Sequence, residues 1–187
     1  MKSRRKLLRL LAFCIAILGL VLVFKSSYVY GKAQLAQFLL WQAWLENKTD
    51  ANRQQKAWYY ADGYPVGELK VKSRDISQIV LNEASNRNLA FGPGIWHHPS
   101  NNILVAAHND THFSFVRELK LDEKISYQAQ GKAQQHFKVV NKIHVDYRDS
   151  NWLLGLDGYL VLITCERRNS LDLVPEGRVV VVAEPVI

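Results

Sequence analysis

The amino-acid sequence predicts a mainly β domain, either a closed barrel or a sandwich, preceded by an apolar N-terminal helix. Three observations support this prediction. A basic N-terminus is followed by fifteen residues without a charge, Leu10–Phe24. The next stretch, Lys32–Glu46, lacks Gly and Pro, which favours helix. From Trp58 onward, short β-branched and apolar runs alternate with turn residues, and seven or eight strands in about 130 residues are typical of a barrel or a sandwich.

The first thirty residues predict a membrane-crossing helix. Residues 1–9 contain five basic residues and no acidic one, and they form the predicted cytoplasmic segment. With Leu7 and Leu8 added, the uncharged run approaches the roughly 20 residues that a bilayer crossing needs, so residues 10–30 are predicted to be a transmembrane signal anchor. A cleaved signal peptide is the alternative, although residues 25–30 offer no clean cleavage site of small residues.

The charge pattern argues against nucleic-acid binding. The whole chain carries a formal charge of +7, but five positive charges lie in residues 1–9, and only +2 (7 − 5) remains for the rest. The chain has two cysteines, Cys14 and Cys165. Because Cys14 lies inside the apolar run, we expect no disulfide between them, and an exported domain would carry one unpaired thiol.

Residues 31–57 are predicted to form a membrane-proximal helix and a linker, and residues 58–187 the β domain. Trp41 and Trp44 in the helix suit either the bilayer interface or a packing groove. A short helix or turn followed by a loop is expected within 86–94, and another short helix within 112–119. The predicted strands are Val66–Val71, Ile76–Leu81, Ile103–Ala107, Lys124–Ala129, Phe137–Val145, Tyr159–Cys165 and Arg178–Ala183.

Cys165 is the first candidate for chemistry. It ends an apolar predicted strand, and the charged stretch 166–170 follows, with Arg167 and Arg168 next to the thiol. A partly exposed thiol beside cations is a reactive one. A buried structural cysteine is the alternative that this stretch leaves open.

His108 is the most suitable histidine to exchange a proton with that thiol. It directly follows the apolar run Ile103–Ala107, so it would lie at the end of a predicted strand, as Cys165 does. His112, four residues on, is close enough to compete. The remaining histidines are interpreted as ordinary turn, rim or strand positions: His97, His98, His136 and His144.

A zinc site is the alternative for the same residues. His108 and His112 have His-x3-His spacing, and Asp110 and Cys165 would complete a ligand set. However, Asn109 stands where the zinc-protease motif requires Glu. We therefore predict no metal and no cofactor.

An arginine suits the remaining role, the stabilisation of the oxyanion that forms on attack, because its charge is permanent and its donors are forked. Arg178 opens the last predicted strand. If the preceding loop returns as a hairpin, Arg178 lies beside Cys165 on the neighbouring strand. A solvated cation at a strand edge is the alternative.

Together these residues resemble the sortases, a family of membrane-anchored cysteine transpeptidases. Leu162-Ile163-Thr164-Cys165 keeps the Leu-x-Thr-Cys part of the family's signature strand, and Ala106–Phe113 resembles the context of the family's histidine, with Ala107 in place of Gly. The family's residues occur in the order His, Cys, Arg, and its arginine opens the strand after the cysteine loop, the position that Arg178 has here. The resemblance covers about residues 58–184 and is closest to the Gram-negative, marine-proteobacterial type, on the segments Trp58–Pro65, Leu89–Gly94 and Leu173–Pro175.

The resemblance implies a closed eight-stranded β-barrel and a mechanism. Cys165 would attack a backbone carbonyl in the C-terminal sorting signal of an exported protein, and His108 would protonate the leaving amine and then deprotonate the acceptor. Arg178 would hold the substrate and stabilise the oxyanion. Thr164, His112 and Asp110 are expected to line the site.

The resemblance also implies partners and a location. The thioacyl intermediate would pass to an amine acceptor, and the protein would span the inner membrane once, with its N-terminus in the cytoplasm and its catalytic domain on the periplasmic side. Two alternatives remain: a catalytically idle, membrane-anchored barrel that binds peptides, and a cysteine hydrolase that cuts without transfer.

Overall fold

The computed structural model describes residues 2–146, 148–149, 151–166 and 177–186, and the chain divides into two compact units, Met1–Phe38 and Leu39–Ile187. One helix, α1 (Lys2–Asn47), contributes to both units. The predicted transmembrane and membrane-proximal helices are thus parts of a single helix, since one interior glycine such as Gly31 costs a helix only about 1 kcal/mol relative to Ala. Arg167, Arg168 and the motif Leu173–Pro175 lie outside the described residues.

The first unit consists of α1 alone, and its described side chains are almost all exposed. Among the described residues, one helix is long and apolar enough to cross a membrane, Ile15–Asn47, with a mean hydropathy of 1.4 over its most apolar window, none of which is buried. A signal sequence near the N-terminus meets the same criterion. The sequence-based domain boundaries at 9, 30 and 57 stay predictions.

The second unit is a closed eight-stranded barrel with the strand order β1-β2-β3-β4-β7-β8-β6-β5. The pairs β2–β3 and β4–β7 are parallel, and the others are antiparallel. This confirms the barrel and excludes the sandwich. The strands are β1 (Pro65–Val71), β2 (Ile76–Leu81), β3 (Gly94–Ile95), β4 (Ile103–Ala107), β5 (Lys124–Ala129), β6 (Gln134–Asp146), β7 (Leu160–Glu166) and β8 (Gly177–Pro185).

Two apolar clusters lie on opposite faces of the sheet that carries the candidate site. The larger cluster fills the barrel and includes Val105, Leu162 and Val179. The smaller one covers the outer face of β4, β7 and β8 and includes Leu104, Ile163 and Val180, packed under the segment that contains Leu153. Because side chains alternate between the two faces of a strand, both faces of β7 and β8 are apolar, which explains their continuous apolar sequence.

The last turns of α1 pack on the barrel. Leu40 and Trp44 are buried against Ile79 and Leu81 of β2. The Asn47 side-chain amide ends the helix by donating to the carbonyls of Gln55 (2.9 Å) and Pro65 (3.0 Å). The sequence left two environments open for the tryptophans, and Trp44 occupies a packing groove.

Candidate active site

Three neighbouring strand ends bring the predicted residues together. β4 and β7 run parallel and pair Ala107 with Thr164, so His108 and Cys165 follow at adjacent positions. β7 and β8 run antiparallel and pair Cys165 directly with Arg178. Neighbouring strands lie only about 4.7–4.9 Å apart. One rim of the barrel therefore holds an imidazole, a thiol and a guanidinium, with the thiol on the middle strand.

The three side chains share the outer face of the sheet. Ile163 and Val180 belong to the outer cluster, and Cys165 and Arg178 each lie two residues from one of them on the same strand, so alternation places all four on that face. His108 stands in the same relation to Ala106, which also packs on the outer cluster. Cys165 and Arg178 are half-buried, and His108 is exposed.

The hydrogen-bond pattern makes Cys165 and Arg178 a close pair. The Tyr159 carbonyl accepts a bond from the Ile103 amide of β4 (2.8 Å). Since carbonyls alternate along a strand, the Cys165 carbonyl also points toward β4 rather than β8. Cys165 and Arg178 are then a non-hydrogen-bonded pair, in which Cα atoms are about 4.5 Å apart and side chains are closest. The Arg178 Nη1 donates to the Gly177 carbonyl (3.0 Å), which directs the guanidinium at this strand end.

The backbone around His108 is fixed by two hydrogen bonds. Thr164, which is 1% exposed, donates its hydroxyl to the Ala107 carbonyl (2.9 Å). On the other side, the Phe113 amide donates to the His108 carbonyl (3.0 Å) and closes the loop that follows. The Phe113 ring is fully buried in the barrel core and packs edge-on against Phe115. Thr164 therefore lies directly beneath the site on the inner face.

His112 lies next to His108 but is held by the protein. Its Nδ1 is 3.2 Å from the Gln78 Oε1, and its ring also bonds to the Ala90 backbone. Burial of the ring lowers the pKa of His112 below its ordinary value, and the charge of His108 lowers it further, against the opposite effect of the Ala90 bond. His112 is thus a neutral neighbour of His108 near neutral pH and connects its loop to β2.

The other predicted positions lie in ordinary surroundings. Asp110 is exposed on the loop after His108. His97 bonds to the Asn82 carbonyl (2.8 Å), and His144 pairs with Glu166 (2.6 Å). Within the described ranges, no group of three or more His, Cys, Asp or Glu side chains could hold a metal ion. The zinc alternative thus has no ligand cluster in this part of the chain.

Sequence patterns did not indicate Arg117, which contacts the site, or Lys142, which binds Arg117. Arg117 donates its Nη2 to the Cys165 carbonyl (3.1 Å). Lys142 donates its Nζ to the Arg117 carbonyl (2.9 Å). Arg117 lies 48 positions from Cys165 along the chain, and no local signal marks such a contact, because it depends on how the loop after β4 folds back across the barrel end.

Comparisons with known proteins agree with this geometry. The sequence-family model of the sortase domain matches residues 69–186, more than half of the 187 residues. No curated protein matches the chain. Among solved structures, sortase A from Corynebacterium diphtheriae aligns with a TM-score of 0.58 at 18% identity, covering 81% of this chain and 84% of that one.

Two sortase C structures give similar values. The protein from Clostridium perfringens, solved with the C-terminal cell wall sorting motif, has a TM-score of 0.58 at 17% identity and covers 84% and 90% of the two chains. Sortase C-1 from Actinomyces oris has a TM-score of 0.56 at 21% identity and covers 66% and 75%. These identities establish a shared fold, and the family match over the barrel shows that the chain belongs to the sortase family of cysteine transpeptidases.

Proposed function

We propose that Cys165 is the nucleophile of a membrane-anchored transpeptidase. Its thiolate attacks a backbone carbonyl in the C-terminal sorting signal of an exported protein, and a carbon–sulfur bond forms. As the carbon–nitrogen bond breaks, His108 gives its proton to the leaving amine. An amine acceptor then attacks the thioacyl intermediate, His108 takes the acceptor's proton, and the thiolate leaves. Arg178 stabilises the oxyanion in both steps.

The single observation that carries this proposal is the pairing of Cys165 with Arg178, one position beyond the Ala107–Thr164 pair. The arrangement supplies a nucleophile, a proton carrier and an oxyanion donor on one face of a rigid sheet. Groups fixed on strands are already close to the geometry of attack, and such preorganisation accounts for much of a catalyst's advantage. The alternative, a structural cysteine buried among aliphatic side chains, would have neither a histidine nor an arginine at the adjacent strand ends.

The position of the thiol at the barrel rim supports a peptide substrate. Ala106, Ile163 and Val180 form one cross-strand row on the outer face, two residues from the predicted catalytic positions on each strand, and Ile163 and Val180 are buried in the outer cluster. This row supports the sheet beneath the site, and a peptide reaches Cys165 from the rim, where Cys165 and Arg178 are half-buried and His108 is exposed. The Clostridium perfringens sortase C was solved with a C-terminal cell wall sorting motif, and we propose the same class of substrate here.

The N-terminal helix supports anchoring. We propose that it is retained, crosses the inner membrane once with the basic residues 1–9 in the cytoplasm, and leaves the barrel on the periplasmic side. Enzyme and membrane-tethered substrate then share one surface, which raises their effective concentration. An anchor thus has a kinetic purpose for an enzyme whose substrate is also tethered.

The test measures cleavage of an internally quenched peptide pool, randomised over a short segment, with hydroxylamine as the amine. In a Cys14→Ala background, we expect Cys165→Ala to abolish cleavage and His108→Ala to do so almost completely. We expect Arg178→Ala to reduce kcat about 100- to 1000-fold, as the loss of one oxyanion donor does. All three should keep the thermal unfolding midpoint of the parent, and the exposed His136→Ala serves as the matched histidine control.

The products separate the alternatives. A peptide hydroxamate indicates transfer, whereas a carboxylic acid with hydroxylamine present indicates a hydrolase. Cleavage that persists in Cys165→Ala would refute the proposal. Peptide binding without cleavage by the parent protein would favour the catalytically idle barrel.

A further inference from the structure

We infer that Arg117 is a positioning residue for Cys165: its guanidinium replaces the strand neighbour that β7 loses where β4 ends. This inference deepens the proposed function and rests on the nucleophilic role proposed for Cys165. It concerns a contact that connects the loop after His108 to the backbone of the thiol-bearing residue.

The first step is the end of the β4–β7 ladder. The Ile103 amide donates to the Tyr159 carbonyl (2.8 Å), and the parallel register continues to the pair Ala107–Thr164. In such a ladder, every second carbonyl of β7 faces β4, so the next donor after the Ala107 amide would be the amide of Asn109. β4 ends at Ala107, and the Cys165 carbonyl is the first on that edge without a strand partner.

The second step is the replacement of that donor. The Arg117 Nη2 lies 3.1 Å from the Cys165 carbonyl oxygen. A hydrogen bond from a charged donor is stronger than a neutral one, and it continues the ladder by one position through a side chain. On its other edge, β7 remains paired with β8 through Glu166 and Gly177. The Cys165 amide still faces the Ala107 carbonyl in the β4–β7 ladder, so the Cys165 carbonyl is the group on this edge that is held only while Arg117 is in place.

The third step is the fixation of Arg117 itself. It lies in a single 3-10 turn, Val116–Glu118, between the buried side chains of Val116 and Leu119. Lys142 of β6 donates to the carbonyls of Arg117 (2.9 Å) and Leu119 (3.1 Å). Arg74 donates to the carbonyl between them, that of Glu118 (2.6 Å). The side chains of Lys142 and Arg74 thus bind the three successive carbonyls of residues 117–119. These bonds fix the 3-10 turn, and with it the position from which the Arg117 guanidinium reaches Cys165.

The consequence concerns the attack itself. Without Arg117, the Cys165 carbonyl has no partner beyond the end of β4, and the Cys165 sulfur samples a wider range of positions relative to the substrate carbonyl. A misplacement of about 1 Å can cost 100-fold in rate. Because Arg117 contacts the protein backbone and is not proposed to contact the substrate, we expect kcat to fall about 10- to 100-fold while KM changes little.

The experiment compares three variants of the full-length Cys14→Ala protein in detergent. Arg117→Met removes the donor and keeps most of the stem. Arg117→Lys keeps one charged donor and should recover part of the loss. Lys120→Met removes an exposed cation three residues away from Arg117 and is the matched control.

Two readouts are measured on each variant: kcat and KM on the quenched peptide pool, and hydrogen exchange of the backbone amides. For Arg117→Met we expect the loss in kcat together with faster exchange confined to residues 164–166. Arg117→Lys should lie between Arg117→Met and the parent in both readouts, and Lys120→Met should match the parent. A merely structural role would accelerate exchange across the barrel, including β1 and β5.

The positioning role is wrong if Arg117→Met matches Lys120→Met in kcat and exchange, or if its faster exchange extends throughout the barrel. These outcomes leave the proposed function standing, provided that Cys165→Ala is inactive. Cleavage by Cys165→Ala would instead refute the proposed function, while the exchange measurement on Arg117→Met would still report on the end of β7.

Discussion

At the scale of single residues, Thr164 shows how the site is supported from behind. Its side chain points into the barrel, is almost fully buried and donates to the Ala107 carbonyl. That carbonyl belongs to the last residue before His108, so the hydroxyl connects the two strands at the level of the site. The resemblance implied only that Thr164 lines the site, and this bond gives its hydroxyl a structural role.

We predict that Thr164→Val lowers both activity and stability. Valine has nearly the same shape but removes the hydroxyl bond to the Ala107 carbonyl, whose other partner in the β4–β7 ladder is the Cys165 amide; the loss of one such bond costs about 0.5–1.5 kcal/mol. The strand end before His108 is then held by one bond fewer, and we expect kcat on the peptide pool to fall by about 10-fold. Urea unfolding and steady-state kinetics measure the two effects. Thr164→Ser, which keeps the hydroxyl, is the control, and equal behaviour of the two variants would contradict the prediction.

The candidate site was predictable only where a residue lies at a strand end. Cys165, His108 and Arg178 each stand at the boundary between an apolar run and a polar stretch, and that boundary is visible in the sequence. The hairpin predicted for Arg178 is confirmed in its pairing with Cys165; their catalytic roles stay predictions. Arg117 and Lys142 were not predictable, because their contacts are to backbone carbonyls of distant segments and leave no periodic pattern.

At the scale of elements, most strands were predictable because their composition is unambiguous. β2, β4 and β5 have the predicted bounds, and the others differ by a few residues at their ends. The exception is β3, Gly94–Ile95, which lies in the glycine- and proline-rich stretch predicted to be a turn and loop. A Cβ on Gly94 would lie 2.3 Å from the Glu83 carbonyl oxygen. The close approach of the two backbones at this position therefore requires glycine. Because glycine is typical of turns and not of strands, the same residue makes β3 unrecognisable from the sequence.

The turn before β2 and the start of β5 are connected by an ion pair that also supports the 3-10 turn of Arg117. Arg74 donates to the Glu123 carboxylate from two nitrogens, at 2.7 and 3.2 Å, and Ser73 adds a third bond (2.7 Å). The hydrogen bond from Arg74 is the main reason that the pKa of Glu123 falls from 4.5 to about 2, against the effect of burial. Glu118 also pairs with Arg74 but is mostly exposed.

We predict that Glu123→Gln destabilises the barrel by about 1.5–3 kcal/mol at neutral pH, the range for hydrogen bonds to charged groups. Because the folded state lowers the pKa, the carboxylate stabilises the fold fully above about pH 4.5, and this contribution is lost as the pH falls toward about 2. Urea unfolding of parent and variant across that window should show the difference shrinking with acidity. Glu118→Gln should change stability by less than about 1 kcal/mol, and a pH-independent difference for Glu123→Gln would contradict the assignment.

At the scale of the whole molecule, one helix belongs both to an apolar N-terminal unit and to the enzyme domain. Residues 39–47 are part of the barrel unit, and Trp44 is as buried as the barrel core. Composition alone predicted helix on both sides of residue 31 but could not show that the two helices are continuous, because Ser26, Ser27 and Gly31 are weak helix formers. Trp44, and not Trp41, is the tryptophan buried against the barrel. Its burial depends on tertiary contacts, which the sequence does not show.

The membrane topology is tested by labelling with a membrane-impermeant maleimide in spheroplasts of a Gram-negative host. In the Cys14→Ala chain Cys165 is the only thiol, and we predict that it is labelled without lysis, because the basic residues 1–9 hold the N-terminus in the cytoplasm. The matched control replaces both native cysteines with Ala and adds Ser3→Cys, which should be labelled only after detergent lysis. Labelling of Cys165 that requires lysis would refute the orientation. A mature chain from which the Ser3→Cys label is missing would show that the helix is a cleaved signal peptide, and the retained anchor would then be wrong.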